Sequence, residues 1–291
     1  MQVGITLPTN LPGVGGDTVL EWARRAEAAG FSTVGMGERI GYEGYDWAVA
    51  LSGAAAVTKR VQLVSSIVIL PLRSVGLAAK ESLSVHRLSG GRLSFGVGLG
   101  GHDREDYEVA GAPWEGRVGR FERALVDLRR AWAGESLVEG FRPIGPRPGP
   151  EGPPELIIGG FAPAAVRRAA RLADGVNVHD IAGDVEAARA SFDIMRDAWR
   201  EYGRAGQPRL MAGFFYSLGE GAERRLNDYF DDYYEYSGPA LDAMISQVTT
   251  YTTAAIKDKL AQFEAIGCDL VILTPVTGAL DEFSRVAEVL P

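Results

Sequence analysis

The chain has one cysteine, Cys268, in 291 residues, which excludes a disulfide framework and a thiolate metal site. Histidine is almost as scarce. His86, His102 and His179 make up the set, and their spacing does not match the paired imidazoles of a barrel metallohydrolase. Lysine occurs four times, at Lys59, Lys80, Lys257 and Lys259. None falls at the C-terminal end of an expected strand, where a Schiff-base enzyme needs its amine. No run of about 18 apolar residues occurs, so no membrane-spanning helix and no membrane partner are expected. The first residues enter a strand, Val3 to Leu7, without a basic segment, so a signal peptide is not expected and a soluble, cytoplasmic protein is. Positive charge is also in deficit. The 38 acidic residues against 30 basic ones give a net charge of −8, which argues against a nucleic-acid partner but leaves room for a local basic pocket.

Apolar residues make up 46% of the chain, enough for a large core. Strand-like runs alternate with helical ones. Strands are expected at Val3–Leu7, Thr33–Met36, Val61–Leu70, Arg92–Gly98, Leu156–Ile158, Val176–Val178, Arg209–Ser217 and Leu270–Leu273. Thr18 to Glu21 has the pattern of a capping box opening the first helix. Val118, Phe121, Leu125, Leu128 and Trp132 step by three and four residues and so share a helix face. The proline-rich segment from Pro143 to Pro154 reads as an exposed loop. Eight strands alternating with helices predict a single-domain α/β fold over residues 1–291, a (β/α)8 TIM barrel. A helical insertion at about 219–253 is expected before the last strand. An open doubly wound sheet is the alternative, weakened because no Gly-x-Gly-x-x-Gly follows the first strand.

Barrel active sites are built from the loops after the strands. Those loops carry Glu38-Arg39, Ser66 to Arg73, Gly98 to Asp103, Gly159-Gly160-Phe161, His179-Asp180 and Thr274. Ile158-Gly159-Gly160-Phe161-Ala162-Pro163 runs from a strand through a glycine pair into a helix N-terminus, the geometry of an anion site; a tight turn requiring glycine is the plainer alternative. Gly98-Leu99-Gly100-Gly101 is the same kind of signal. Two such loops point to a phosphorylated cofactor.

Leu88-Ser89-Gly90-Gly91-Arg92, Gly96-Val97-Gly98-Leu99-Gly100 and Ile158-Gly159-Gly160, together with the third strand, resemble the bacterial luciferase-like superfamily. Those proteins are flavin- or deazaflavin-dependent oxidoreductases on a TIM barrel, and the similarity runs from Val3 to about His179. The resemblance implies a cofactor ring across the barrel mouth, supported by a non-proline cis peptide at Ser66-Ile67. It implies that Gly98, Leu99, Gly100, Gly101, Gly159, Gly160 and Phe161 hold the cofactor tail and phosphate. His179 joins that set as a cofactor contact. The chain departs from the sugar-phosphate dehydrogenases of the F420 branch. It has Glu38-Arg39 where they carry Asp-His, and Gly101-His102 where they carry a catalytic Glu. Glu38, Arg39 and His102 are therefore the candidate proton donors and anion clamp. The alternative is a Glu38–Arg39 pair that merely closes the mouth.

The expected activity is hydride transfer between coenzyme F420 and a small organic substrate, such as reduction of a C=C or C=N bond. The compact length, the short Ser66–Arg73 loop and the Arg-rich, Lys-poor composition favour that branch. An FMN-dependent luciferase-like monooxygenase and a non-catalytic binding member of the same fold are the alternatives. Pocket walls are expected from Gly41–Tyr45 and from the tyrosine-rich segment Tyr229–Tyr236, which could equally be a subunit interface. Family members are commonly dimers, so a homodimer is expected.

Overall fold

The computed structural model describes residues 1–101, 104–234 and 243–290. Its strands are β1 (Gln2–Thr6), β2 (Thr33–Met36), β3 (Gln62–Ser65), β4 (Val68–Ile69), β5 (Leu93–Gly98), β6 (Glu155–Gly159), β7 (Gly175–His179), β8 (Arg209–Tyr216) and β9 (Leu270–Pro275). All pairings are parallel, in the order β3-β2-β1-β9-β8-β7-β6-β5-β4, and a further β3–β5 pairing closes the sheet on itself. β3 and β4 share one place in the ring, because Val64 pairs with Ser94 and Val68 with Val97 of the same β5. The result is the closed eight-position parallel barrel that the alternation of elements predicts. Val64, Ile157, Met211, Leu270 and Ile272 fill its interior. A larger apolar layer, including Trp22, Leu51, Leu83, Phe121 and Phe192, lies between the strands and the outer helices.

Those helices are α1 (Gly16–Ala29), α2 (Trp47–Val57), α3 (Val75–Leu88), a short α4 (Glu105–Val109), α5 (Arg117–Trp132), α6 (Pro163–Leu172), α7 (Val185–Glu201), α8 (Ala222–Tyr233), α9 (Thr253–Ala265) and α10 (Leu280–Ala287). Asp46, Ser74 and Asp184 cap α2, α3 and α7 through their side chains. The capping box expected at Thr18 does not form. Helix α1 starts three residues earlier, with Gly15 accepting from the Thr18 and Val19 amides, and Glu21 turns to Arg25 at 2.8 Å instead. Val118, expected on the buried face of α5, is exposed; Phe121, Leu125, Leu128, Ala131 and Trp132 form that face.

The Leu88–Arg92 motif works at the bottom of the barrel, opposite the loops of interest. Gly90 and Gly91 both have positive φ, 71° and 86°, a pair that residues with a Cβ strongly disfavour. The turn they make delivers Arg92 into the interior, where it is buried. Its guanidinium donates to the carbonyls of Ser89, Val61, Ala55 and Thr58 and to the Thr58 hydroxyl, at 2.7–3.1 Å. One side chain thus ties the end of α2, the start of β3 and the turn before β5.

Candidate active site

At the upper end of the ring the expected third strand, Val61–Leu70, is broken. β3 stops at Ser65, the Ser66–Ile67 peptide is cis, and Leu70–Leu72 form a 3-10 turn around Pro71. Where the ladder to β5 lapses, the Ser65 hydroxyl replaces it, accepting from the Gly96 amide and donating to the Gly96 carbonyl, both at 2.9 Å. The bulge is tied to β2 as well, since the Ser66 amide donates to Met36 O at 2.7 Å and Ile67 O accepts from the Glu38 amide at 3.2 Å. Ile67 lies against two glycines of neighbouring strands. A Cβ on Gly98 would stand 2.9 Å from Ile67 Cδ1, and one on Gly159 would stand 2.5 Å from Ile67 Cγ2. Both are closer than carbon atoms tolerate. These two glycines therefore answer first to the bulge.

Two contiguous cavities open above the strands. The larger, about 510 Å³, is walled by Gly37–Arg39, Ser66, Ile67, Gly98–Gly101, Ile158–Ala162, Asn177 and His179. The smaller, about 120 Å³, lies over β1, β8 and β9 and is roofed by tyrosines of α8. Gly37, Ser66, His179, Tyr233 and Tyr234 line both. Of the tyrosine-rich segment, Tyr229, Tyr233 and Tyr234 face the smaller cavity; Tyr236 lies outside the described residues. The Gly41–Tyr45 loop lines neither cavity. Tyr42 instead packs edge-on against Tyr233 and hydrogen-bonds Asp232.

Glu38 and Arg39 both reach the larger cavity, but they do not pair with each other. Glu38 is buried and accepts from the Ile69 amide at 2.8 Å and from both terminal nitrogens of Arg73. Burial pushes its carboxyl up, opposed by the Arg73 guanidinium and the Ile69 amide. Arg39 donates to Glu105 at 2.9 Å and to the Tyr233 carbonyl at 3.0 Å, and it contacts Asp106 at 3.1 Å. Its guanidinium also lies 5.0 Å from the centre of the Tyr233 ring. The charge of Arg39 is thus met by carboxylates, and its side chain links the β2 loop to the end of α8. His102 lies outside the described residues.

His179 ends β7 with its Nε2 2.9 Å from Thr274 Oγ1, which in turn stands 3.0 Å from Thr6 Oγ1. Burial lowers its pKa to about 4, against the pull of Asp180, so the imidazole is neutral at pH 7.

Gly159–Phe161 leads into α6, whose N-cap is Ala162 and whose first residue is Pro163. No side chain caps that end; Pro163 has no N–H and the Ala165 and Val166 amides donate to Ala162 O, which leaves the Ala164 amide of the first turn to an anion. Besides Arg39, two arginines reach the same cavity. Arg168 pairs with Glu122 at 2.8 Å. Arg117 lies 3.5 Å above the Trp114 ring and has no carboxylate partner among the described residues. Arg104 approaches the same indole at 5.6 Å.

Reading strand ends did not single out Asn177 or Arg117. Asn177 donates to Ser66 Oγ at 2.8 Å, while its buried Oδ1 has no hydrogen-bond partner among the described residues. Its signal was a polar residue inside the apolar run Val176–Val178. Arg117 opens a helix dense in surface arginines, where nothing in the spacing marks it out. Among the described residues no group of three or more His, Cys, Asp or Glu is placed to hold a metal ion, and no helix is long and apolar enough to cross a membrane.

The pattern that defines the luciferase-like monooxygenases matches residues 1–266. The chain belongs to that family. Within it, an uncharacterized protein of Mycobacterium tuberculosis is 32% identical over 181 residues, 53% of this chain and 62% of its own length. The match therefore spans less than two thirds of that relative. The F420-dependent glucose-6-phosphate dehydrogenase of Beutenbergia cavernae is 30% identical over 54% of the chain and 51% of its own length. The FMNH2-dependent dimethylsulfone monooxygenase of Pseudomonas fluorescens is 25% identical over 86% and 79%. Among solved structures, the monooxygenase RslO1 of Streptomyces bottropensis superposes with a TM-score of 0.79 at 21% identity, covering 99% of this chain and 97% of that one. An F420-dependent secondary alcohol dehydrogenase holding an F420-acetone adduct gives 0.80 at 16% identity, covering 100% and 98%. These two likenesses concern the fold. By their names, the relatives include a user of F420 and a user of FMNH2.

Proposed function

We propose that the chain is an F420-dependent oxidoreductase that moves a hydride between the deazaflavin and a small organic substrate. The observation that carries the reading is Arg117, a stacked guanidinium without a carboxylate partner among the described residues, at the wall of the glycine-lined cavity. A cation held ready without an acid beside it suits a phosphate.

The residues present fit such a cofactor. The buried Asn177 Oδ1, without a hydrogen-bond partner among the described residues, would accept from a ring N–H, which flavins and deazaflavins both carry. The uncapped start of α6 and Arg117 suit the phosphate. Ile67, set by Gly98 and Gly159, supplies an apolar support for a flat ring. When bound, the reduced deazaflavin supplies a hydride. The chain's own part is to orient the substrate, exclude water, and hold a proton at the Thr274 and tyrosine hydroxyls.

F420 is favoured over FMN because Arg104, which also approaches Glu115 at 3.7 Å, meets the cavity-lining Arg117 on the Trp114 indole, and F420 continues past its phosphate into a carboxylate-bearing tail. The FMN-dependent monooxygenase is the competing reading, supported by the FMNH2-dependent relative that matches 86% of the chain. Titration of the purified protein with F420 and with FMN, read by fluorescence and anaerobic reduction, separates them. Tight F420 binding, weakened about 10- to 100-fold in Arg117→Ala, is expected from the loss of one charge-assisted contact. Tight FMN binding without F420 binding overturns the first reading, and binding of neither overturns both.

A further inference from the structure

The smaller cavity has an unusual electrostatic character for a barrel mouth: no charged side chain lines it among the described residues. Thr6 and Thr274 sit at the ends of β1 and β9, and His179 at the end of β7, joined in the hydrogen-bonded row already described. Phe215, Tyr229, Tyr233 and Tyr234 close the other side. Burial raises the phenols of Tyr229 and Tyr234 well above their ordinary value and that of Tyr233 to about 12. Every polar group there is therefore neutral at pH 7. Arg39, 5.0 Å from the centre of the Tyr233 ring, is engaged by Glu105 and Asp106. An anion entering this space would lose its hydration without a counter-charge, a cost of several kcal/mol or more. A neutral carbonyl or hydroxyl loses far less and finds several O–H donors. Size narrows the class further. A cavity of about 150 Å³ holds one benzene, so about 120 Å³ takes a group of about six heavy atoms.

We infer that the substrate, or the part of it that reacts, is a small uncharged molecule of about six heavy atoms bearing one carbonyl or hydroxyl oxygen, bound between the Thr6–Thr274–His179 row and the tyrosines of α8. This rests on the proposed function for its meaning as a substrate site. The neutrality and size of the pocket stand without it. Phosphorylated and carboxylated substrates are excluded from this position.

Ligand-observed saturation-transfer NMR with cyclopentanone and with cyclopentanecarboxylate tests the inference directly. It is run on the protein alone and on the protein saturated with whichever cofactor it binds. Cyclopentanone is expected to bind at least tenfold more tightly than the carboxylate, and Thr274→Val and Tyr234→Phe are each expected to weaken it several-fold. Carboxylate binding that equals or exceeds ketone binding overturns the inference. So does ketone binding unchanged in both variants, or no ketone binding in either state. Ketone preference in a protein that binds neither F420 nor FMN sinks the proposed function and leaves the pocket assignment standing. Cofactor binding without ketone preference does the reverse.

Discussion

His179 enters the barrel mouth uncharged, and the cause is burial, which outweighs the neighbouring Asp180 and holds its pKa at about 4. A histidine depressed in this way favours the fold at neutral pH, and that contribution is lost as pH falls from the ordinary histidine range towards about 4. Its imidazole proton resonances are therefore expected to stay flat from about pH 8 down to about pH 5.5, whereas an unperturbed histidine would titrate in that window. A titration midpoint near pH 6.5 would refute the assignment. Single residues were the hardest level to read in the sequence. Glu38 and Arg39 were visible as a charged pair after a strand, but their partners Arg73, Glu105 and Asp106 come from other loops. Those partners turn two candidate reagents into members of ion-paired networks. Asn177 was legible in principle, because a polar residue in a buried strand needs a partner; its link to Ser66 depends on the barrel bringing β7 opposite the bulge.

Among elements, the Leu88–Arg92 turn is distinctive in sequence yet remote from the mouth. Its value lies in Arg92, whose guanidinium answers four carbonyls and a hydroxyl inside the fold. Lysine cannot reproduce that planar array of donors. Arg92→Lys is expected to lower stability by about 3 kcal/mol, through acceptors left buried without donors, measurable by urea denaturation. A loss below about 0.5 kcal/mol would show that water replaces the guanidinium. Most element positions were legible, since strands rich in branched residues alternate with amphipathic helices. The exceptions were local. The third strand breaks because Ser66–Ile67 leaves the ladder and a serine hydroxyl takes over the Gly96 groups, a substitution that no periodicity signals.

On the scale of the whole molecule, the closing helix α10 is joined to α8 through Glu282 and Arg225, 3.4 Å apart. Burial raises the Glu282 carboxyl to about 7, with Arg225 pulling the other way. A carboxyl raised in the fold binds its proton more tightly there than in the unfolded chain. Stability therefore falls as pH rises from the ordinary range near 4.5 through about 7. Glu282→Gln is expected to flatten that decline and to gain about 1–3 kcal/mol at pH 8 relative to pH 5, read from urea denaturation at both values. An identical pH dependence in wild type and variant would rule this out. The barrel itself was the most legible level, because eight repeats of one pattern leave few topologies.

Five residues border both cavities, and Arg39 fastens the end of α8 to the β2 loop beneath it. The two chambers therefore share a wall, and an occupant of the larger one completes the enclosure of the smaller. That arrangement favours a sequence of arrival. The larger ligand, once seated, gives the smaller one a tighter hold, so steady-state kinetics should show a preferred order, with the small molecule entering second and leaving first.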